Sequence, residues 1–379
     1  MIRPIMTTRE AAADPSWATP AIRALPAYRR PPTFADFPDP ATRPRLLQLN
    51  ESPYPPSPRA AEAAATALAD LNRYPDIAGR ALAAAIGARL DVPAHRIVLG
   101  CGSDELIHFA TVVALAAGDS AVVPAPSFPR YALSTRLAGA TPIRAKLDAH
   151  GACDAQALLR AIGPRTRLVV ACTPNPPSGG MMDEAALRAL IAGVPQDALL
   201  LLDEAYYEFG RHAGGPDALA LLRARKGPWL STRTFSKAHG LAALRVGYAI
   251  CGDDTVVEAF ARARLQFNVP APSQAAARAA FADEPHLART LAAVADERER
   301  LARGLGALGL RVWPSAANFV SCSLARPAAA AMAALEAAGI LVRDWRDPDH
   351  PNELRIGVGT AADTDAVVAA LGRFLREAA

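Results

Sequence analysis

The run Thr234-Phe235-Ser236-Lys237, with Arg245 eight residues further on, places an amine beside two hydroxyls and a guanidinium. Hydroxyls and a bidentate Arg are phosphate ligands by type. A cation near a lysine also lowers its pKa and favours the neutral amine, the form that attacks an aldehyde. A Ser-Lys pair in a loop is by itself usually solvated, so its weight depends on its company. Asp203 closes the apolar run Ala198 to Leu202, near the carboxyl end of a buried strand, where open α/β sheets bind ligands. A buried carboxylate needs a partner, and a protonated pyridine nitrogen is suitable; the plainer alternative is an Asp capping the next helix. Gly100-Cys101-Gly102-Ser103-Asp104-Glu105 turns from a strand into a helix, and its free N–H groups and dipole suit a phosphate. Thr173-Pro174-Asn175-Pro176-Pro177-Ser178-Gly179 is a rigid turn whose Asn175 can hydrogen-bond a phenolic oxygen, or simply lie on the surface. Arg343 and Arg355 sit in or beside apolar strands, where a charge needs a substrate anion or a structural partner. An amine for an aldehyde, a phosphate cup and a carboxylate for a ring nitrogen are what pyridoxal 5′-phosphate (PLP) requires of a protein.

The elements that must position these residues alternate. Strands are expected at Arg96 to Leu99, Ser120 to Pro124, Arg167 to Ala171, Ala198 to Leu202, Trp229 to Thr232 and Arg245 to Ile250, with helical stretches between. That rhythm predicts an α/β fold with a mostly parallel sheet covered by helices on both faces. Residues 1–48 form an arm with many prolines, which break helices and central strands. A large domain is expected over 49–270, led by an Ala-rich helix over 57–71. Residues 271–379 are expected to form a smaller α+β domain, with a helix from Glu284 to Leu308, strands at Asn318 to Leu324 and Leu354 to Val358, and a helix from Pro327 to Ala338 between them.

The 379 residues, 51% hydrophobic and 21% charged, suit a soluble globular protein with a substantial core. A net charge of +4 without a dense basic stripe gives no reason to expect nucleic acid or an anionic membrane as partner. The longest apolar stretch, Leu106 to Gly118, is too short to span a bilayer, and no secretory signal pattern is present. The five cysteines, Cys101, Cys153, Cys172, Cys251 and Cys322, are scattered with no C-x-x-C, so reduced core thiols in a cytoplasmic protein are expected, with no metal.

In order along the chain stand L-N-E-S-P-Y-P-P-S-P from Leu49, N-R-Y-P from Asn72, G-S-D-E-L from Gly102 and P-S-F-P-R-Y from Pro126. They are followed by D-E-A-Y from Asp203, R-T-F-S-K-A-H-G-L-A-A-L-R-V-G-Y from Arg233, A-N-F at Ala317 and L-R-I-G-V-G-T from Leu354. With this ordered set the chain resembles the fold-type I PLP aminotransferases, and within them the histidinol-phosphate aminotransferase-like subgroup, over nearly nine tenths of its length. The resemblance implies that Lys237 carries PLP as a Schiff base and shuttles protons, that Asp203 pairs with the pyridine nitrogen, and that Tyr206 donates to the ring phenolate. It implies Phe128 on the ring face, and Ser103, Asp104, Thr234, Ser236 and Arg245 around the phosphate, beside Gly102. It further implies a homodimer in which Tyr74 reaches the neighbouring subunit's PLP phosphate. Arg355 would hold the substrate's carboxylate or its counterpart, and Arg343 and Tyr28 a substrate phosphate. Three positions depart from the pattern: Pro176 where an Asn contacts the phenolate, Ser52 in place of an Asn, and His239 in place of an aromatic residue.

The reaction expected is transamination, with histidinol phosphate or an aromatic amino acid as donor and a 2-oxo acid such as 2-oxoglutarate as acceptor. A second reading is decarboxylation of a phosphorylated amino acid such as threonine phosphate. It differs in which bond at the substrate carbon breaks, and CO₂ release would mark it. A third, a non-catalytic binding module on the same fold, has no need of the lysine-aspartate-tyrosine set, which is intact here.

Overall fold

The computed structural model describes residues 15–25, 31–37, 39 and 43–377, so Tyr28 and much of the proline-rich arm lie outside the described residues. Two compact units emerge: one is Glu51–Ala295 with Pro314–Asn318, the other the described residues up to Asn50 with Asp296–Trp313 and Phe319–Ala379. The chain passes from one to the other within the helix Glu284–Ala307.

The first unit is built on seven strands: β1 Ile97–Gly100, β2 Ser120–Ala125, β3 Thr141–Lys146, β4 Thr166–Cys172, β5 Leu199–Asp203, β6 Trp229–Thr234 and β7 Gly247–Cys251. Their order is β1-β7-β6-β5-β4-β2-β3. The pairs among β3, β2, β4, β5 and β6 are parallel, whereas β7 runs antiparallel to both β6 and β1. Central strands covered on both faces read as unbroken apolar runs, and Leu199 to Leu202 in β5 is such a run, buried throughout. At the edge β3 is mostly uncovered and carries Pro142, so it has no clear apolar signature; sequence reasoning missed it. Register sets the site: in the parallel ladders Cys172 of β4 faces Asp203 of β5, and Asp203 faces Thr232 of β6, so three strand ends meet at one level.

The expected helix over 57–71 is a helix Pro58–Thr66, with Ser57 capping the Arg59 N–H, followed by a 3₁₀ turn Ala67–Asp70. The other unit has an antiparallel sheet of β8 Arg311–Val312, β9 Phe319–Ser323, β10 Arg343–Asp344 and β11 Glu353–Gly357, in the order β10-β11-β9-β8. The helices Ala328–Ala337 and Ala361–Glu377 belong to this unit. Among the described residues no helix is long and apolar enough to cross a membrane, and all five cysteines are free of disulfides.

Candidate active site

Asp203 ends β5 at 2% exposure. Its Oδ1 accepts from Thr232 Oγ1 at 3.0 Å and from the Ala205 N–H at 3.1 Å; its Oδ2 accepts from the Tyr131 hydroxyl at 2.5 Å. Burial pushes the carboxyl up to about 6, against the pull of these three donors. A carboxylate oxygen has two lone pairs, so Oδ1 is filled and Oδ2 keeps room for one more donor.

Lys237 lies three residues past the end of β6, half-buried, in the loop that leads towards β7. On the same loop Thr234 Oγ1 donates to Ser236 Oγ at 3.0 Å, and Arg245 Nη1 donates to Ser236 Oγ at 3.2 Å. Arg245 itself takes a left-handed backbone, φ 48°, just before β7. Opposite stands Gly102, φ 77°, which starts the helix Ser103–Ala114 without any side-chain cap. A Cβ added there would lie 2.5 Å from Arg245 Nη2, so a side chain at 102 would fill the space beside the guanidinium. An uncapped helix start, two hydroxyls and a guanidinium thus share one cradle, a setting that suits a phosphate.

Phe128 is 36% exposed and meets Tyr131 edge-on, with ring centroids 5.7 Å apart. Tyr206 is buried immediately before the helix Tyr207–His212, in the turn that follows Asp203. Asp104, expected at the phosphate, is held by Arg130 through bonds of 2.7 and 2.9 Å, so its carboxylate is already engaged. Asn175 is wholly buried and its amide donates to Pro126 O at 3.1 Å and Ser178 Oγ at 2.9 Å, while its Oδ1 accepts from Ser127 Oγ at 2.5 Å. Both amide hydrogens are used, so the side chain fixes the turn and keeps no donor for a ligand, contrary to the role expected of it. Tyr74 stands 81% exposed, stacked on Phe267 at 4.5 Å. In the other unit, Arg343 of β10 and Arg355 of β11 are direct cross-strand partners. Arg355 donates to the Gln48 carbonyl, and its guanidinium lies 5.7 Å from the centre of the Phe319 ring.

The family described as aminotransferase class I and II matches residues 45–371. The chain belongs to this family. It is a PLP-dependent aminotransferase of fold type I. It is 38% identical, over 94% of both chains, to histidinol-phosphate aminotransferase 2 of Caulobacter vibrioides. It is 40% identical to an aromatic amino acid aminotransferase of Rhodococcus jostii, over 85% of this chain and 88% of that one. Among solved structures, histidinol-phosphate aminotransferase of Sinorhizobium meliloti in complex with pyridoxal-5′-phosphate superposes with a TM-score of 0.86 and 27% identity, covering 96% of this chain and 99% of that one.

Three features of this aminotransferase were missed from sequence. Tyr131 stands one helical turn after Phe128, but the motif gave no sign that its hydroxyl meets Asp203. Arg130 was not paired with Asp104. Glu204 and Arg233, each next to a site residue, form a buried ion pair: Arg233 Nε and Nη2 reach Glu204 Oε2 at 3.1 and 2.9 Å, and Ser231 Oγ adds a third bond at 2.5 Å. This pair ties the end of β6 to the residue that follows β5, next in sequence to Asp203. The signal available was two opposite charges at the ends of neighbouring expected strands, which could be buried only if paired.

Proposed function

We propose that the amino donor is histidinol phosphate, with a 2-oxo acid such as 2-oxoglutarate as acceptor, in a cytoplasmic homodimer. The observation behind this reading is the cross-strand pair Arg343 and Arg355. Cross-strand partners project to the same face of a sheet, so two guanidiniums there can share one dianionic phosphate, whereas one carboxylate occupies a single bidentate guanidinium. A dicarboxylate acceptor suits the same pair. The relatives named for aromatic amino acids support a second donor class, held by Arg355 alone.

PLP, when bound, supplies the aldehyde that takes up the amine and the ring that accepts the electron pair left at the substrate carbon. In this reading Lys237 Nζ anchors the cofactor and then carries the proton away from, or back to, that carbon. Asp203 Oδ2, with one lone pair left, holds the ring N–H. Tyr206 donates to the phenolic oxygen, a task that falls to it because Pro176 has no donor and Asn175 has none to spare. Ser103 and Asp104 offer backbone N–H groups, and Thr234, Ser236 and Arg245 offer side chains, to the phosphate, while Gly102, its own N–H given to the Gly100 carbonyl, leaves room beside Arg245. Phe128 covers the ring. The support for a dimer is the exposure of Tyr74 within an apolar surface.

The test follows the cofactor absorbance of parent and Arg343→Ala while histidinol phosphate or phenylalanine is added. The parent should be converted by histidinol phosphate and restored by 2-oxoglutarate. Arg343→Ala should lose roughly ten- to a hundredfold in kcat/KM on histidinol phosphate and hardly change on phenylalanine. An equal loss on both substrates, or a parent that uses no phosphorylated amine, overturns the assignment.

A further inference from the structure

The segment Ser127 to Tyr131 touches three parts of the site: Ser127 the Asn175 turn, Arg130 the Asp104 carboxylate, and Tyr131 the Asp203 carboxylate. The last contact is unlike the others. Asp203 and Tyr131 are 2% and 1% exposed, and the oxygens are 2.5 Å apart, the length of a hydroxyl donating to an ionised carboxylate. Burial and the neighbouring Asp203 charge raise the Tyr131 phenol well above its ordinary value, so it keeps its proton and can only be the donor here. The titratable groups acting on Asp203 include Tyr131 from the helix Arg130–Leu137, Cys172 and Cys153, and Glu204 next in sequence; Cys172 and Cys153 are raised by burial and stay neutral. Three donors oppose the cost of burying the charge, and the Tyr131 hydroxyl gives the largest of these contributions.

We propose that Tyr131 is a positioning residue that keeps Asp203 ionised and fixes its Oδ2, so that the cofactor's ring nitrogen holds its proton. The inference rests on the reading of Asp203 as the partner of that nitrogen. Removing the hydroxyl leaves Asp203 with the two donors on Oδ1, and Oδ2 free to turn or to take a proton itself. A proton on Asp203 is one the ring nitrogen no longer carries, and the ring then draws electrons less strongly. Tyr131 touches neither ring nor substrate in this account; its effect passes through the carboxylate.

The experiment uses Tyr131→Phe, which keeps the ring packed against Phe128, and Asp203→Asn as reference. Each holoenzyme carries PLP labelled with ¹⁵N at the ring nitrogen, and the nitrogen resonance reports its protonation. In Tyr131→Phe the resonance should leave the parent position and move towards that of Asp203→Asn. In parallel kcat should fall about tenfold or more, with the KM for the amino donor within about threefold of the parent. A resonance unchanged from the parent in Tyr131→Phe overturns the inference, even if thermal stability falls, since a packing role alone would lower stability without moving the nitrogen. If Asp203→Asn itself leaves the resonance in place, the reading of Asp203 fails and this inference fails with it. A shift in Asp203→Asn without one in Tyr131→Phe sinks the inference alone.

Discussion

Asp203 carries its charge at a cost set by its burial, and in the proposed reading the cofactor's ring N–H offsets that cost. Its carboxyl is raised by burial from 3.8 to about 6, so between those values the folded, cofactor-free protein holds a proton that the unfolded chain releases. Its contribution to stability is therefore full below about pH 4 and is lost as pH rises through 6, a change of roughly 3 kcal/mol at most. Denaturant melts of the cofactor-free protein across pH 4 to 8 should show this loss in the parent and not in Asp203→Asn; a parent-minus-variant difference that is flat with pH would refute it. Lys237→Ala should lose at least ~10²-fold in turnover, since in the proposed reading the same amine anchors the cofactor and moves the proton. Near-parent turnover without added amine would show the lysine to be misassigned. Lys237, Asp203 and Arg245 stood out as candidates in the sequence because each ends, follows or precedes a short strand and sits among hydroxyls or small residues. Tyr131 was not, because its partner lies 72 residues away and only the direction of a helix brings them together.

At the scale of elements, the cradle depends on two devices. One is the glycine at the turn from β1 into the helix Ser103–Ala114. Gly102→Ala meets both a left-handed backbone and the Arg245 guanidinium, so Arg245 must move out of the cradle. The expected result is a fall of at least tenfold in PLP affinity, measured by cofactor release on dilution; unchanged affinity would mean that Gly102 and Arg245 do not share the phosphate. The other device is the Glu204–Arg233 pair between β5 and β6. Glu204→Ala leaves a buried guanidinium without its partner and should cost about 3–5 kcal/mol in a denaturant melt. A loss under 1 kcal/mol would show that the pair does not hold the strand ends. Strand existence was readable from apolar runs such as Leu199 to Leu202, since a doubly covered strand has few polar positions. Direction was harder to read. A short apolar run looks the same either way up, and the antiparallel placing of β7 follows from its closeness to β6, with the Lys237 loop and a 3₁₀ turn between them.

At the scale of the molecule, the described residues leave an apolar surface exposed. Leu68, Leu71, Tyr74, Ile77, Leu265 and Phe267 are all exposed large apolar side chains, and they come from two stretches of the same unit, joined where Tyr74 stacks on Phe267. Scattered exposed apolar residues are ordinary, but six in two short stretches, two of them ring on ring, form a patch suited to the proposed dimer contact. The sequence offered Tyr74 only as part of N-R-Y-P, and its meaning came from resemblance; exposure cannot be read from a Leu or a Tyr in a string. If a second copy covers this surface and the proposed reach of Tyr74 to the partner's phosphate holds, each site draws Lys237 from one chain and Tyr74 from the other. Tyr74→Ala and Lys237→Ala should then each be poorly active alone. Unfolded together and refolded as an equal mixture, half of the dimers are mixed, and one site in each mixed dimer has both residues intact. Activity should therefore return to about a quarter of the parent's. Sedimentation of the parent at assay concentration should show two chains per particle. No recovery on mixing would remove Tyr74 from the partner's site, and an active single chain in the sedimentation run would remove the dimer altogether.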